Sequence, residues 1–221
     1  MSNKINEAMK AKYRLKHLKE TKKLLDKLKI KFFIEAGTCL GAIREGKFIE
    51  GDTDIDIGIL AEDIENVDKL KDEFLKINKE IIIFGKYQLA LYKNFDGFKS
   101  VIDISFYHKY ASKRISTFNL TLLVFPEYKF EKIRFYDLMV NVPSPPEKYL
   151  KMIYGDWKVD KEKDVHHLPN LPLFPNTKIK KVDLSEIEIN AKLQKTWCKH
   201  EKKFVYNPTK KKHCPYCGGL L

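Results

Sequence analysis

Asp54 and Asp56, separated by one isoleucine in the run Asp-Ile-Asp-Ile-Gly-Ile, are the residues of this chain best placed to do chemistry. Alternate residues of a strand point to the same side, which sets two such carboxylates roughly 6.5–7 Å apart at their Cα atoms. A pair at that spacing can grip one metal ion. The isoleucines alternate with them, as in a strand that buries one face; the competing reading is a solvated polar face on an edge strand. Upstream, Gly37 and Thr38 follow the apolar run Phe32-Phe33-Ile34 and precede a helical stretch from Cys39 to Arg44. A glycine there lets backbone N–H groups approach a phosphate, and a helix start favours negative charge. Arg44 carries a planar fork suited to a phosphoryl group, and Asp52, at the junction of loop and strand, could orient a metal-bound water.

The elements that must hold these residues run strand, glycine turn, short helix, loop, then the strand bearing Asp-x-Asp. That is the ordering of the nucleotidyltransferase fold, in which a phosphate sits between the glycine turn and carboxylate-bound metal. A third carboxylate should stand on a neighbouring strand, and Asp103 in Val101-Ile102-Asp103-Ile104-Ser105 has the setting. Mg²⁺ or Mn²⁺ on Asp54, Asp56 and Asp103 is the expected arrangement, with Asp103 able to draw the proton from an attacking hydroxyl.

The segment Gly37-Thr38-Cys39-Leu40-Gly41-Ala42-Ile43-Arg44, followed by Gly46-Lys47-Phe48-Ile49 and Asp52-Thr53-Asp54-Ile55-Asp56-Ile57-Gly58, resembles the LicD/fukutin family of phosphotransferases. Val142-Pro143-Ser144, Tyr149-Leu150 and Tyr154-Gly155-Asp156-Trp157 are similar to the family's closing segment, so the likeness covers about residues 30 to 168. Two departures stand out. Glu50-Gly51 replaces the family's usual Pro-Trp pair, and Thr53 stands where another Asp is common. The resemblance implies transfer of a phospho-alcohol, of the phosphocholine or ribitol phosphate class, from a CDP-linked donor to a glycan hydroxyl. It also implies that the region of His166 and His167 lies near the substrate, where either could contact a phosphate. The rival readings are a nucleotidyltransferase adding NMP to RNA or protein, and a non-catalytic nucleic-acid binding module.

Composition sets outer limits. A chain of 221 residues with 43% hydrophobic residues suits one main domain plus an appendage. With 42 Lys+Arg against 30 Asp+Glu, the net charge of +12 attracts polyanions, whether nucleotide, nucleic acid or an anionic membrane surface. No apolar run has the length of a membrane span, and the first residues lack the apolar stretch of a secretion signal. The expectation is a cytoplasmic protein, able to sit peripherally at the cytosolic membrane face through charge.

Taken in order, residues 4 to 29 read as an amphipathic helix on Leu15, Leu18, Leu25 and Leu28, docked on a sheet. Ile64, Val67, Leu70, Phe74 and Ile77 mark a second helix, over 62 to 79. Strands are expected at 81–84, 87–92 and 101–107, the last two forming a hairpin around Asn94-Phe95-Asp96-Gly97, and then at 120–125, 130–135 and 139–142. Ser144-Pro145-Pro146-Glu147 reads as a capping box opening a helix that stops at Gly155. Trp157 is expected to pack against the end of that helix.

From Leu168 the chain turns rich in Pro and Lys, and a second capping-box match predicts a helix from Ser185 to about Lys195. Cys198 and His200, with Cys214 and Cys217 of the Cys-Pro-Tyr-Cys turn, have the donor types of a structural Zn²⁺ site. The predicted organisation is an α/β (α+β) catalytic domain over 1–168, a nucleotidyltransferase-like mixed sheet flanked by helices. A linker follows over 169–196, and a small zinc-ribbon-like tail over 197–221.

Overall fold

The computed structural model describes residues 5–64, 67–77, 80–84, 87–110, 112–118, 121–159, 189–190, 194–198 and 203–207. A mixed sheet forms its core. In chain order the strands are β1 (Phe32–Ile34), β2 (Asp54–Leu60), β3 (Glu80–Phe84), β4 (Gln88–Phe95), β5 (Phe98–Tyr110), β6 (Lys113–Phe118), β7 (Thr121–Pro126), β8 (Lys129–Phe135), β9 (Leu138–Ser144), β10 (Ile189–Asn190), β11 (Gln194–Cys198) and β12 (Lys203–Asn207). The helices are α1 (Glu7–Lys27), α2 (Ala36–Arg44), α3 (Val67–Ile77) and α4 (Pro146–Tyr154). The main sheet runs β10-β3-β4-β5-β2-β1-β9-β8, with β6 and β7 extending from β5.

Two parallel pairings lie at the centre of an otherwise antiparallel sheet, β2 with β5 and β1 with β9. The first matters most here. Its register sets Asp56 opposite Asp103 and Asp54 opposite Val101. The alternation read from the sequence is present: Ile55, Ile57, Ile102 and Ile104 are wholly buried on one face, while Asp54, Asp56 and Asp103 share the other and are half-buried. The expected β4–β5 hairpin forms, turning at Asp96-Gly97 between Phe95 and Phe98.

α1 docks on the sheet through Leu18, Leu24 and Leu25. The same face buries Arg14, His17 and Thr21, and the His17 Nδ1 lies 3.0 Å from the Ser100 hydroxyl on β5. β1 leads into α2, and β2 returns antiparallel to β1 with Phe33 opposite Gly58. The Phe33 ring covers Gly58 so closely that a Cβ there would lie 2.2 Å from Cζ, so only glycine fits beneath it.

Several expectations are corrected. α2 begins at Ala36, so Gly37 and Thr38 form its first turn rather than a turn ahead of it. The second helix is shorter than 62–79, with Ala61–Asp63 in a 3₁₀ turn and α3 starting at Val67. Ser144 does not cap α4: it ends β9, and its hydroxyl bonds the Glu131 carboxylate across the β8–β9 pair. Pro145 takes the cap position without a side-chain bond, and Gly155 closes the helix at φ 68° as expected. β6 was not foreseen. The helix predicted from Ser185 to Lys195 gives way to strand at 189–190 and from Gln194, where β11 pairs with β12. Isolated capping signatures cannot outweigh cross-strand pairing that sequence does not reveal.

Candidate active site

The three acids predicted from spacing come together. One carboxylate oxygen each from Asp54, Asp56 and Asp103 lie within 4.8 Å of one another, close enough for all three to hold one divalent ion. None of the three is in a salt bridge among the described residues. Like charges packed together and withdrawn from water resist ionisation. Burial, reinforced by Asp54 and Glu35, raises the Asp103 pKa to about 7. Burial and then Asp54, Asp52 and Asp103 raise that of Asp56 as well. The donor set is all oxygen, the kind that hard divalent cations such as Mg²⁺ and Mn²⁺ prefer, so the cluster could hold one.

The first turn of α2 shapes the cluster. The Thr38 N–H donates to Asp56 Oδ2 at 3.2 Å, and the Asp56 N–H donates to Thr38 Oγ1 at 2.8 Å. Thr38 is buried and tied to Asp56. Gly37 is needed for closeness: a Cβ on it would meet Asp52 Oδ2 at 3.0 Å and Asp56 Oδ2 at 3.3 Å. Asp52 stands beside the cluster in hydrogen-bond contact with Asp54. Burial and Asp54 raise its pKa to about 7, while Arg14 opposes the shift.

A layer that sequence reasoning missed lies behind the acids. Glu35, at the cap of α2, is buried, and burial raises its pKa to about 7 against hydrogen bonds from Tyr107 and Ser105. Tyr149 of α4 accepts from the Ala36 N–H at 2.9 Å, joining α4 to the start of α2. Tyr128 completes the aromatic group, its ring edge-on to Tyr149 and Tyr107. The signal for Glu35 was present, a lone acid directly after the apolar Phe32-Phe33-Ile34 run. Tyr149 stood in the family-like Tyr149-Leu150 pair, whereas Tyr107 and Tyr128 carried no signal, because only tertiary packing gathers them.

Arg44 is placed elsewhere. It ends α2, eight residues and therefore about 12 Å along the axis from Ala36, and its Nη2 pairs with Glu45 Oε1 at 2.7 Å. Trp157 packs against the core as expected, and with Lys151, Gly155, Asp156 and Lys158 it lines a cavity of about 360 Å³. His166, His167, His200, Cys214 and Cys217 lie outside the described residues, and Cys198 is on β11 opposite Lys203. Among the described residues, no helix is long and apolar enough to cross a membrane.

Three carboxylates on paired parallel strands, facing the first turn of a helix, define a candidate divalent-cation site. The chain belongs to the LicD/FKTN/FKRP family, whose nucleotidyltransferase domain matches residues 29–145. It is 31% identical to an uncharacterized protein of Rickettsia prowazekii over 169 residues, 72% of this chain and 60% of that protein. It is also 28% identical to the ribitol-5-phosphate transferase FKTN of Homo sapiens, and 29% to that of Macaca fascicularis, over 147 residues, 62% of this chain and 31% of those proteins. The chain thus spans less than two thirds of the length of these relatives.

Proposed function

We propose that the protein is a divalent-cation-dependent transferase that moves a phospho-alcohol, of the phosphocholine or ribitol phosphate class, from a CDP-linked donor to a glycan hydroxyl. The observation that carries this reading is the gathering of Asp54, Asp56 and Asp103 within 4.8 Å in a chain of the LicD/FKTN/FKRP family. The similarity to ribitol-5-phosphate transferases supports the choice of transferred group, and the acids beside a helix start support a nucleotidyltransferase-like catalytic domain.

Mg²⁺ or Mn²⁺ held by the three carboxylates would supply positive charge against the phosphoryl oxygens. The rest is work for the chain's own residues. Asp103, on the strand beside Asp56, would draw the proton from the attacking glycan hydroxyl. Asp56 is kept in place by its two bonds to Thr38. The start of α2 at Gly37 offers backbone N–H groups and the positive end of the helix to the donor's phosphates. Arg44, at the C-terminal end of α2 and paired with Glu45, is a proposed contact for the transferred phosphoryl group. His166 and His167 are proposed phosphate contacts on the family resemblance. Cys198, His200, Cys214 and Cys217 are proposed ligands of a structural Zn²⁺ in the tail, which metal analysis of the purified chain tests.

The decisive experiment incubates wild type and Asp56→Asn with CDP-ribitol or CDP-choline, Mg²⁺ and glycan acceptors. Wild type should release CMP and extend the acceptor, and the variant should be folded and nearly inactive. Equal turnover by the two would sink the mechanism, and incorporation from labelled CTP instead would move the protein to the nucleotidyltransferase reading.

A further inference from the structure

Arg14 lies on α1, ahead of the residues matched by the family domain, and is 1% exposed. A guanidinium carries five N–H donors and keeps its charge in a protein, so burying one calls for acceptors. Arg14 has few. Nη2 reaches the Ile49 carbonyl at 3.4 Å, the guanidinium lies 4.6 Å from the centre of the Phe48 ring, and Nε and Nη1 meet no acceptor among the described residues. Burial pulls its pKa down, and the charges opposing this are, in order, Asp52, Tyr136, Glu7 and Asp54. For stability alone, an apolar side chain of similar volume would serve as well or better.

The contacts of Arg14 fall on one segment, the loop that carries the chain from α2 to Asp54. Other groups hold the same loop. The Gly51 N–H donates to Glu7 Oε2 at 3.3 Å, again from α1, and the Phe48 N–H donates to the Tyr136 hydroxyl at 3.1 Å. On its inner side the loop presses so closely on Gly41 that a Cβ there would lie 2.5 Å from the Lys47 carbonyl. α1 therefore touches the loop at Ile49 and Gly51, on either side of Glu50 and just before Asp52.

We infer that Arg14 is a positioning residue for the cation-binding acids: from α1 it holds the Phe48–Asp52 loop through the Ile49 carbonyl and the Phe48 ring, and so sets where the strand bearing Asp54 and Asp56 begins. The inference rests on the reading of those three acids as the cation site. It gives α1, outside the matched domain, a task in the site rather than in the scaffold alone. Without Arg14 the loop that leads into Asp54 loses its contacts to α1 at Phe48 and Ile49, and Asp54 its fixed place in the cluster.

Mn²⁺ binding to the full chain, followed by electron paramagnetic resonance, tests this without any turnover. Arg14→Met should weaken Mn²⁺ binding about tenfold or more, the effect expected when a group behind a metal ligand is lost. Arg14→Lys should recover part of the loss, and Glu7→Ala, which releases Gly51, should show a smaller one. Simple electrostatics predicts the opposite sign, since removing a cation beside carboxylates favours a second cation. Unchanged or tighter Mn²⁺ binding by folded Arg14→Met overturns the inference. Should that variant fail to fold, wild-type affinity in both Arg14→Lys and Glu7→Ala overturns it. Failure of wild type itself to bind Mn²⁺ is a different result and removes the proposed function with it.

Discussion

Replacing Asp103 with asparagine removes a charge while keeping the side chain's shape, and the structure sets both the sign and the size of the outcome. Burial beside Asp54 and Glu35 raises the Asp103 pKa from 3.8 to about 7. That is roughly three decades in proton affinity, or about 4 kcal/mol at 1.36 kcal/mol per decade. The folded protein holds this proton more tightly than the unfolded chain does. The associated stability is therefore complete below the unfolded value of 3.8 and is lost as pH rises through about 7. In a chelator, wild type should melt at progressively lower temperature across that window. Asp103→Asn should lose less, and at about pH 8 it should be the more stable protein by up to about 4 kcal/mol, or about 10 °C for a chain of this length. Mg²⁺ should reverse the order, because an ion that binds only the folded carboxylates stabilises wild type by mass action and has one ligand fewer in the variant. Differential scanning fluorimetry over pH, with EDTA or Mg²⁺, reads all four states. An Asp103→Asn protein that melts below wild type in EDTA at high pH, or gains as much from Mg²⁺, would refute the reasoning.

Three further substitutions probe the surroundings. Gly37→Ala places a methyl 3.0 Å from Asp52 Oδ2 and 3.3 Å from Asp56 Oδ2, so Mn²⁺ affinity should fall about tenfold with the fold kept; a calorimetric titration checks it. Gly58→Ala drives a Cβ into the Phe33 ring and should destabilise by about 1–3 kcal/mol or more in a urea titration, the range for overpacking a core. Tyr107→Phe removes the hydroxyl that donates to Glu35, and the expected loss is about 1–3 kcal/mol. Because that bond favours ionised Glu35, whose pKa is about 7, the loss should be larger above neutrality than at about pH 5. Equal losses at the two pH values would count against the assigned partner.

What could be read directly from the chain was local and periodic. The alternation of Asp54 and Asp56 with Ile55 and Ile57 carries its own geometry, since side chains on a strand change sides at every residue. The same rule, with the Asp96-Gly97 turn, placed β4 beside β5 and gave Asp103 its face. The Leu18 and Leu25 spacing of α1 was equally plain, and extending it by its own steps of three and four reaches Thr21 and Arg14.

Beyond the β4–β5 hairpin, tertiary structure alone decided how the strands were registered and what stood behind the acids. The pairing of Asp56 with Asp103 joins residues 47 positions apart, and no local pattern encodes that register. Gly37 could be seen to favour a tight approach, but its use, letting Asp52 and Asp56 close on the helix, depends on the returning loop. Ser144 looked like a cap because a capping signature is short, and the pairing of β8 with β9 overrode it. Arg14 reads as one basic residue among many on α1, and only the packing of that helix against the Phe48–Asp52 loop buries its charge beside the acids. Side-chain identity and period are properties of a segment, whereas burial and field are properties of everything around it.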